Sequence, residues 1–168
     1  MLERAAQETG KDLLEKKARL ATAESCTGGM IGAALTAIAG SSDWFERGYI
    51  TYSNQAKHQD IGVPTTLIKR HGAVSEEVAR AMAEGARKES GADFAVSVTG
   101  IAGPTGSSPA KPVGTVCFGW AGPQGTRAQT MLFQGDRQAV RLQSAAHALA
   151  GLKRMRRACA RTALSASG

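Results

Sequence analysis

A serine and a cysteine stand side by side in the stretch TAESCTGG, residues 22–29, between an apolar segment and a segment of helical pattern. Side chains alternate near the end of a strand, so one of the pair should face a cleft and the other the core. Because cysteine is commonly buried, we expect Ser25 to be the exposed nucleophile. A helix N-terminus lowers the pKa of a thiol, so Cys26 is the alternative nucleophile.

A serine hydroxyl needs a base, and the histidines are poorly placed to supply one. His58, His71 and His147 fall on predicted helices or surface loops, outside the glycine-rich corners. Lys57, in TYSNQAK, is the other candidate, because a lysine desolvated in a cleft can lose its proton near neutral pH and act as base to a serine. Taken alone, Lys57 would more simply be a solvated surface residue.

Two glycines follow the serine at the start of the predicted helix. Gly28 and Gly29 would let backbone N–H groups approach an anion, and the helix dipole favours negative charge there. Thr27 is predicted to cap the first turn of the helix. These three residues could bind phosphate or stabilise an oxyanion. The alternative is that the glycines only allow close packing of the helix.

Other polar residues fall near the ends of predicted elements. Tyr52 could hold or polarise Lys57, although a partly buried packing role is equally simple. Thr99 and Gly100 end the apolar run DFAVSVTG and either line a cleft or merely terminate a strand. Arg137 follows the predicted cap of the last helix, where it could bind a carboxylate or phosphate or be solvated.

The sequence offers no pattern for a metal or an organic cofactor. Cys26, Cys117 and Cys159 are far apart and form neither a CxxC pair nor an even disulfide framework. Glu24 is a single carboxylate that could orient the site but has no partner for acid–base catalysis. We expect no cofactor and a reducing cytoplasm. The charged start is unlike a signal peptide, and no apolar run approaches the roughly 18 residues of a membrane span, so no membrane association is expected.

The net charge of the chain favours anionic partners. The 168 residues include 21 Lys plus Arg against 14 Asp plus Glu, a formal charge of +7. Much of the excess is concentrated near the C-terminal end, in residues 153–161, where cations suit a helix dipole. Aromatic residues, at 5%, do not alternate with basic ones. A phosphorylated small molecule is therefore a better candidate partner than nucleic acid.

The order of apolar patterns predicts the fold. Helices are expected at 2–18, 27–39, 54–62, 74–90 and 135–158, with another short helical piece after Pro64, and strands at 19–24, 45–52, 93–100, 114–122 and 126–135. This alternation predicts a three-layer α/β/α sandwich with a mixed, mostly parallel sheet, in one domain over 1–158. Residues 159–168 are predicted to be a disordered basic tail. Polar stretches after three strands are expected to share one cleft.

Several motifs together carry a family resemblance. TAESCTGG, GSSDWFERGYITYSNQAK, HGAVSEEVA, VTGIAGPTG and KPVGTV, in this order, closely resemble the CinA C-terminal domain family from about residue 5 to residue 155. The chain resembles the stand-alone form, without the separate N-terminal domain of full-length members. The resemblance implies a homo-oligomer that hydrolyses nicotinamide mononucleotide to nicotinic acid mononucleotide and ammonia, without a cofactor.

The resemblance also implies roles for individual residues. Ser25 would be the nucleophile, Lys57 its base and Tyr52 an assistant to this dyad. Thr99 and Arg137 would support the site, and Thr99 stands where such families often have serine. Backbone amides of residues 27–29 would stabilise the oxyanion.

Three other functions remain open from the sequence. A non-catalytic nucleotide-binding or regulatory domain could use the same glycine corners without chemistry. An amidase for another small amide would share the dyad and differ in its pocket. A nucleic-acid module is a weaker candidate, suggested only by the charge.

Overall fold

A computed structural model describes residues 1–166 as a five-stranded sheet with helices on both faces. The strands are β1 Leu20–Glu24, β2 Phe45–Ile50, β3 Phe94–Gly100, β4 Thr115–Gly122 and β5 Gly125–Leu132. The helices are α1 Leu2–Glu15, α2 Met30–Thr36, α3 Asn54–Ile61, α4 Thr65–His71, α5 Glu76–Ser90 and α6 Arg137–Ala166, with a short 3₁₀ turn at Ser41–Asp43.

The strand order in the sheet is β2-β1-β3-β4-β5. Strand β1 pairs in parallel with β2 and with β3, while β4 pairs antiparallel with both β3 and β5. Four of the five strands therefore run in one direction. The predicted three-layer α/β/α fold with a mixed, mostly parallel sheet is confirmed. The carboxyl ends of β1, β2 and β3 meet at one edge of the sheet, as the shared cleft requires.

Each face of the sheet buries its own apolar cluster. Helices α1, α2 and α6 cover one face with large side chains such as Leu13, Ile31 and Leu149. Helices α3, α4 and α5 cover the other face, where the strands present mainly alanines. All five residues of β1 are buried because both of its faces are covered, which explains its short apolar run in the sequence.

Helix α2 is shorter than the pattern predicts. It spans Met30–Thr36 rather than 27–39, because residues 25–29 form a turn in which Gly29 takes the left-handed conformation. Thr27 was expected to cap this helix, but its hydroxyl instead donates to the carboxylate of Glu24. The predicted caps of two other helices are confirmed, since Ser75 accepts from the N–H of Val78 and Asp136 from that of Ala139.

Helix α6 is longer than the pattern predicts. It continues to Ala166 and so includes residues 159–166, for which a disordered tail was expected. Three of the eight residues of this segment are alanine, the strongest helix former, and Gln124 donates a hydrogen bond to the carbonyl of Cys159. Residues 167–168 of the expected tail lie outside the described residues. No helix in the described chain is long and apolar enough to cross a membrane.

A close contact between α5 and the end of α3 predicts sensitivity to one added methyl group. A Cβ atom on Gly85 would lie 1.8 Å from the carbonyl oxygen of Ile61, a backbone atom that cannot turn aside. We expect Gly85→Ala to lower the free energy of unfolding by about 1–3 kcal/mol through overpacking, measured by urea denaturation.

The matched control for this variant is Gly32→Ala, in α2. There the nearest atom would lie 3.6 Å from the new Cβ, an ordinary contact, so we expect a stability equal to or above that of the wild type. Equal stability of the wild type and the Gly85→Ala variant would contradict the contact.

Candidate active site

Three strand ends form the floor of a cleft of about 250 Å³. Beyond the strands, pairing continues for one residue on each side of β1: Ser25 N–H donates to the carbonyl of Val98, and Thr51 N–H to that of Glu24. Ser25 is thereby fixed between the ends of β2 and β3. The cleft is lined by seven of the residues proposed from the sequence: Ser25, Cys26, Tyr52, Lys57, Thr99, Gly100 and Arg137.

Ser25 and Lys57 are in direct contact. The Lys57 Nζ atom lies 3.0 Å from Ser25 Oγ, 2.9 Å from the carbonyl oxygen of Thr51 and 3.1 Å from that of Tyr52. Ser25 Oγ also lies 3.3 Å from the carbonyl oxygen of Tyr52. Lys57 is only 1% exposed, so it is not the solvated surface residue of the simpler interpretation.

The start of α3 explains how a lysine reaches this position. Ser53 caps the helix by accepting a hydrogen bond from Ala56 N–H, which fixes the turn out of β2. Lys57 lies in the first turn of α3, and helical side chains lean toward the N-terminus of their helix. Its ammonium or amine group is therefore directed back to the carbonyls at the end of β2.

Burial changes the acid–base behaviour of Lys57. Desolvation disfavours the charged form and lowers the pKa of the lysine to about 8. Its three hydrogen-bond partners are two backbone carbonyls and a serine hydroxyl, none of which is an anion. A substantial fraction of Lys57 is therefore neutral slightly above neutral pH, and a neutral amine beside a hydroxyl can accept its proton.

Cys26 and Ser25 have similar exposed fractions, and the acid–base state of the Cys26 thiol decides between them. Cys26, 6% exposed, belongs to an apolar core cluster as expected, whereas Ser25, 9% exposed, is less exposed than expected. Both line the cleft. Burial raises the pKa of the Cys26 thiol to about 11, which outweighs any effect of the helix N-terminus. The thiol is protonated at neutral pH, and of these two neighbouring side chains it is Ser25 that is hydrogen-bonded to the lysine.

The anion at the N-terminus of α2 is supplied by the protein itself. Glu24, 1% exposed, accepts from Thr27 Oγ1 at 2.7 Å, from Ile31 N–H at 2.9 Å and from Gly32 N–H at 3.0 Å. These backbone groups are the ones that would otherwise bind a phosphate or an oxyanion. The carboxylate therefore occupies the anion site that the glycine motif was expected to offer to substrate.

The expected substrate-binding role of Thr27, Gly28 and Gly29 is accordingly not supported by their positions. None of the three is among the residues that line the cleft. Thr27 is fully buried, and the Gly28 N–H donates to the carbonyl of Ser25. Both glycines have positive φ, +58° and +101°, so they serve the conformation of the turn.

Tyr52 contacts the serine and the lysine through its backbone rather than its phenol. Its side chain is 59% exposed, and its hydroxyl oxygen lies 3.2 Å from Arg137 Nη2. Arg137 Nη1 donates to the carbonyl of Gly103 at 2.9 Å. The guanidinium thus joins two segments of the rim. The hydroxyl of Thr99 donates to the carbonyl of Ala73, which also lines the cleft.

Two further contributors to the site were missed in the sequence. Asn54 lines the cleft from the first position of α3. Arg141 donates from Nε to the carbonyl of Cys26 and from Nη2 to that of Thr27, and so holds the turn after Ser25. The signal for Arg141 was its spacing, because it lies four residues after Arg137 on the same face of α6.

These features define an α/β protein with a lysine–serine pair at the ends of parallel strands. The family model described as the CinA C-terminal domain matches residues 2–156, and the chain belongs to that family, as its motifs indicated. Within residues 1–166, no three His, Cys, Asp or Glu side chains are grouped so that they could hold a metal ion.

The chain is similar both to proteins of about its own length and to much longer proteins. It is 52% identical over 143 residues to the nicotinamide-nucleotide amidohydrolase PncC of Pseudomonas putida, covering 85% of this chain and 89% of that protein. It is 54% identical over 131 residues to a CinA-like protein of Anaeromyxobacter dehalogenans, covering 78% of this chain but only 32% of the longer relative. The chain thus spans about a third of such longer relatives.

The fold also matches a solved structure. The competence/damage inducible protein CihA from Agrobacterium tumefaciens superposes with a TM-score of 0.90 at 42% sequence identity, covering 92% of this chain and 95% of that one.

The environments of the cysteines predict their order of reaction with iodoacetamide. Burial raises the pKa of Cys26 to about 11 and also raises that of Cys117, whereas Cys159 is partly exposed. At pH 7.5 we expect Cys159 to be alkylated first and the other two at least about tenfold more slowly, because the thiolate is the reactive form. Mass spectrometry of peptides would measure the rates. In urea all three should react alike, and rapid labelling of Cys26 in the folded protein would contradict its assigned state.

Proposed function

We propose that this protein is a metal-independent amidohydrolase that converts nicotinamide mononucleotide to nicotinic acid mononucleotide and ammonia. The observation that carries the proposal is the contact of 3.0 Å between the buried Lys57 Nζ and Ser25 Oγ. The choice of substrate comes from relatives named nicotinamide-nucleotide amidohydrolase in Pseudomonas putida and Escherichia coli, which are 52% and 53% identical to this chain.

The first half of the reaction uses Lys57 as general base and then general acid. A neutral amine has two N–H groups, which the carbonyls of Thr51 and Tyr52 accept, and a lone pair that remains for the Ser25 hydroxyl. Lys57 takes the hydroxyl proton while Ser25 Oγ bonds to the carboxamide carbon. When the tetrahedral intermediate collapses, the C–N bond breaks and Lys57 returns the proton to the departing nitrogen, so ammonia leaves.

The second half hydrolyses the acyl-enzyme with the same two groups. Neutral Lys57 accepts a proton from water, whose oxygen attacks the ester carbon. The bond to Ser25 Oγ then breaks, the proton returns to the serine, and the carboxylic acid product leaves. No metal or organic cofactor enters either half of this scheme.

The oxyanion donor proposed here differs from that expected from the sequence. Gly28 N–H already donates to the carbonyl of Ser25, and the first amides of α2 bind Glu24. Cys26 directly follows the nucleophile and lines the cleft. We assign its backbone N–H to the developing oxyanion, because the amide after a nucleophilic serine is a recurrent donor for this purpose.

The remaining cleft residues are assigned to the nucleotide. Arg137 uses two N–H groups for Gly103 and Tyr52, which leaves others for the substrate phosphate. Thr99 and Gly100 would form the floor under the substrate. The cytoplasm and a homo-oligomer remain expectations, and the exposed side chains of Ile50 and Leu142 offer apolar surface to a second copy.

Ammonia release from nicotinamide mononucleotide, with a chelator present, tests the dyad. We expect Ser25→Ala and Lys57→Ala each to lower kcat/KM by about a thousandfold or more. The nucleophile and its base act in the same step, so loss of either one removes that step. Lys69→Ala is the matched control, since this lysine is exposed on α4, and it should retain full activity.

Each result separates the competing functions. A folded wild type that binds the nucleotide but releases no ammonia would support a non-catalytic binding domain. Release from a different small amide, lost in both variants, would keep the dyad and replace the substrate. Full activity in either dyad variant would exclude the proposed mechanism.

The pH dependence follows from the lowered pKa of Lys57, about 8. The active form is the neutral amine, so kcat/KM should rise about tenfold per unit below pH 8 and level off above it. Initial rates between pH 6 and 9.5 measure this profile, with circular dichroism at each pH as the control for folding. A profile that is flat or falls over this range would contradict a neutral Lys57 as the base.

A further inference from the structure

A buried carboxylate lies next to the nucleophile without contacting the cleft. Glu24 immediately precedes Ser25, yet it is not among the residues that line the cleft. Its partners are the Thr27 hydroxyl and two backbone N–H groups of α2, all of them neutral donors. No lysine or arginine forms an ion pair with it among residues 1–166. Such a group is expensive to bury, so its retention at this place calls for a role.

We propose that Glu24 is a positioning residue for Ser25, with its carboxylate acting as a built-in anion that locks the turn of residues 25–29 onto α2. This inference rests on the proposed function of Ser25 as the nucleophile. In the proposed reaction, Glu24 contacts none of the reacting atoms.

The hydrogen bonds around Ser25 form a closed frame. On one side, Ser25 N–H is held by Val98, and its carbonyl accepts from Gly28. On the other side, Glu24 binds the Thr27 hydroxyl and, through the same oxygen Oε1, the Ile31 N–H. The backbone before and after the nucleophile is thereby tied to one carboxylate. Since catalysis is sensitive to displacements of about 1 Å, this frame fixes the distance from Oγ to the lysine.

An isosteric variant distinguishes a carboxylate from a polar filler of the same shape. In Glu24→Gln, one of the two oxygens becomes an NH₂ group. Oε1 faces Ile31 N–H and Oε2 faces Gly32 N–H, so in either orientation of the amide a donor meets a backbone donor that cannot reverse. We expect kcat to fall on the order of a hundredfold with KM little changed, because the cleft wall is intact.

Chemical rescue tests the anion itself. Glu24→Ala leaves a space of about the size of acetate beside two free amides of α2, so added acetate should restore a measurable part of kcat, whereas neutral acetamide should not. Amide hydrogen exchange should report the same event, with Ile31 and Gly32 losing protection in the variant and regaining it with acetate.

The matched control is Thr22→Val, two residues earlier on the same face of β1. Thr22 is fully buried, and its hydroxyl has no hydrogen-bond partner in the described part of the chain, so this variant should keep the wild-type kcat. A folded Glu24→Gln variant with wild-type kcat would overturn the proposal. So would failure of both Glu24 variants to fold even in acetate, since Glu24 would then serve folding alone.

The outcome for Glu24 can be separated from that for the proposed function. If the wild type releases no ammonia, the amidase proposal fails, and the exchange of the Ile31 and Gly32 amides decides alone whether a carboxylate locks the turn. If the wild type is active and acetate restores protection without restoring kcat, the lock exists but does not position the nucleophile, and the proposal is overturned.

Discussion

The site depends on keeping one lysine side chain out of water. Lys57 is almost fully buried, and only neutral groups accept its hydrogen bonds. A charged amine is disfavoured there, so burial can supply the base that the proposed mechanism needs without a histidine or a carboxylate. The burial in turn requires α3 to begin directly after β2 and its end to pack against α5, where Gly85 allows the contact. The layer of α3, α4 and α5 therefore supports the proposed base as well as forming half of the core.

Local patterns in the sequence account for most of the fold and for the choice of Ser25 and Lys57 as candidate residues. The alternation of short apolar runs with amphipathic helices predicts the sheet, because each element must bury one side against another. The ends of parallel strands lie at one edge, which brings Ser25, Thr99 and the segment leading to Lys57 together without further information.

The details that the sequence did not reveal depend on contacts between distant or competing groups. The motif that ends in Gly28 and Gly29 is typical of anion-binding turns, and it does bind an anion, but the anion is Glu24 of the same chain. The phenol of Tyr52 turns to Arg137 because a partner 85 positions away offers a donor, a separation that no local pattern encodes. Helix propensity alone would have extended α6 to Ala166, but the general tendency of chain termini to be poorly ordered favoured the expectation of a tail.

The guanidinium of Arg137 connects two segments of the cleft rim by hydrogen bonds. It fastens the loop at Gly103 to Tyr52, and these belong to segments that follow different strands. Only two of its N–H groups are used in these contacts, so a phosphate bound as proposed would use the remaining ones and leave the rim fastened. The guanidinium is then held in one place before an anion arrives, and little side-chain entropy is lost when the anion binds. More of the binding energy of a nucleotide would therefore remain to hold its reactive end against Ser25.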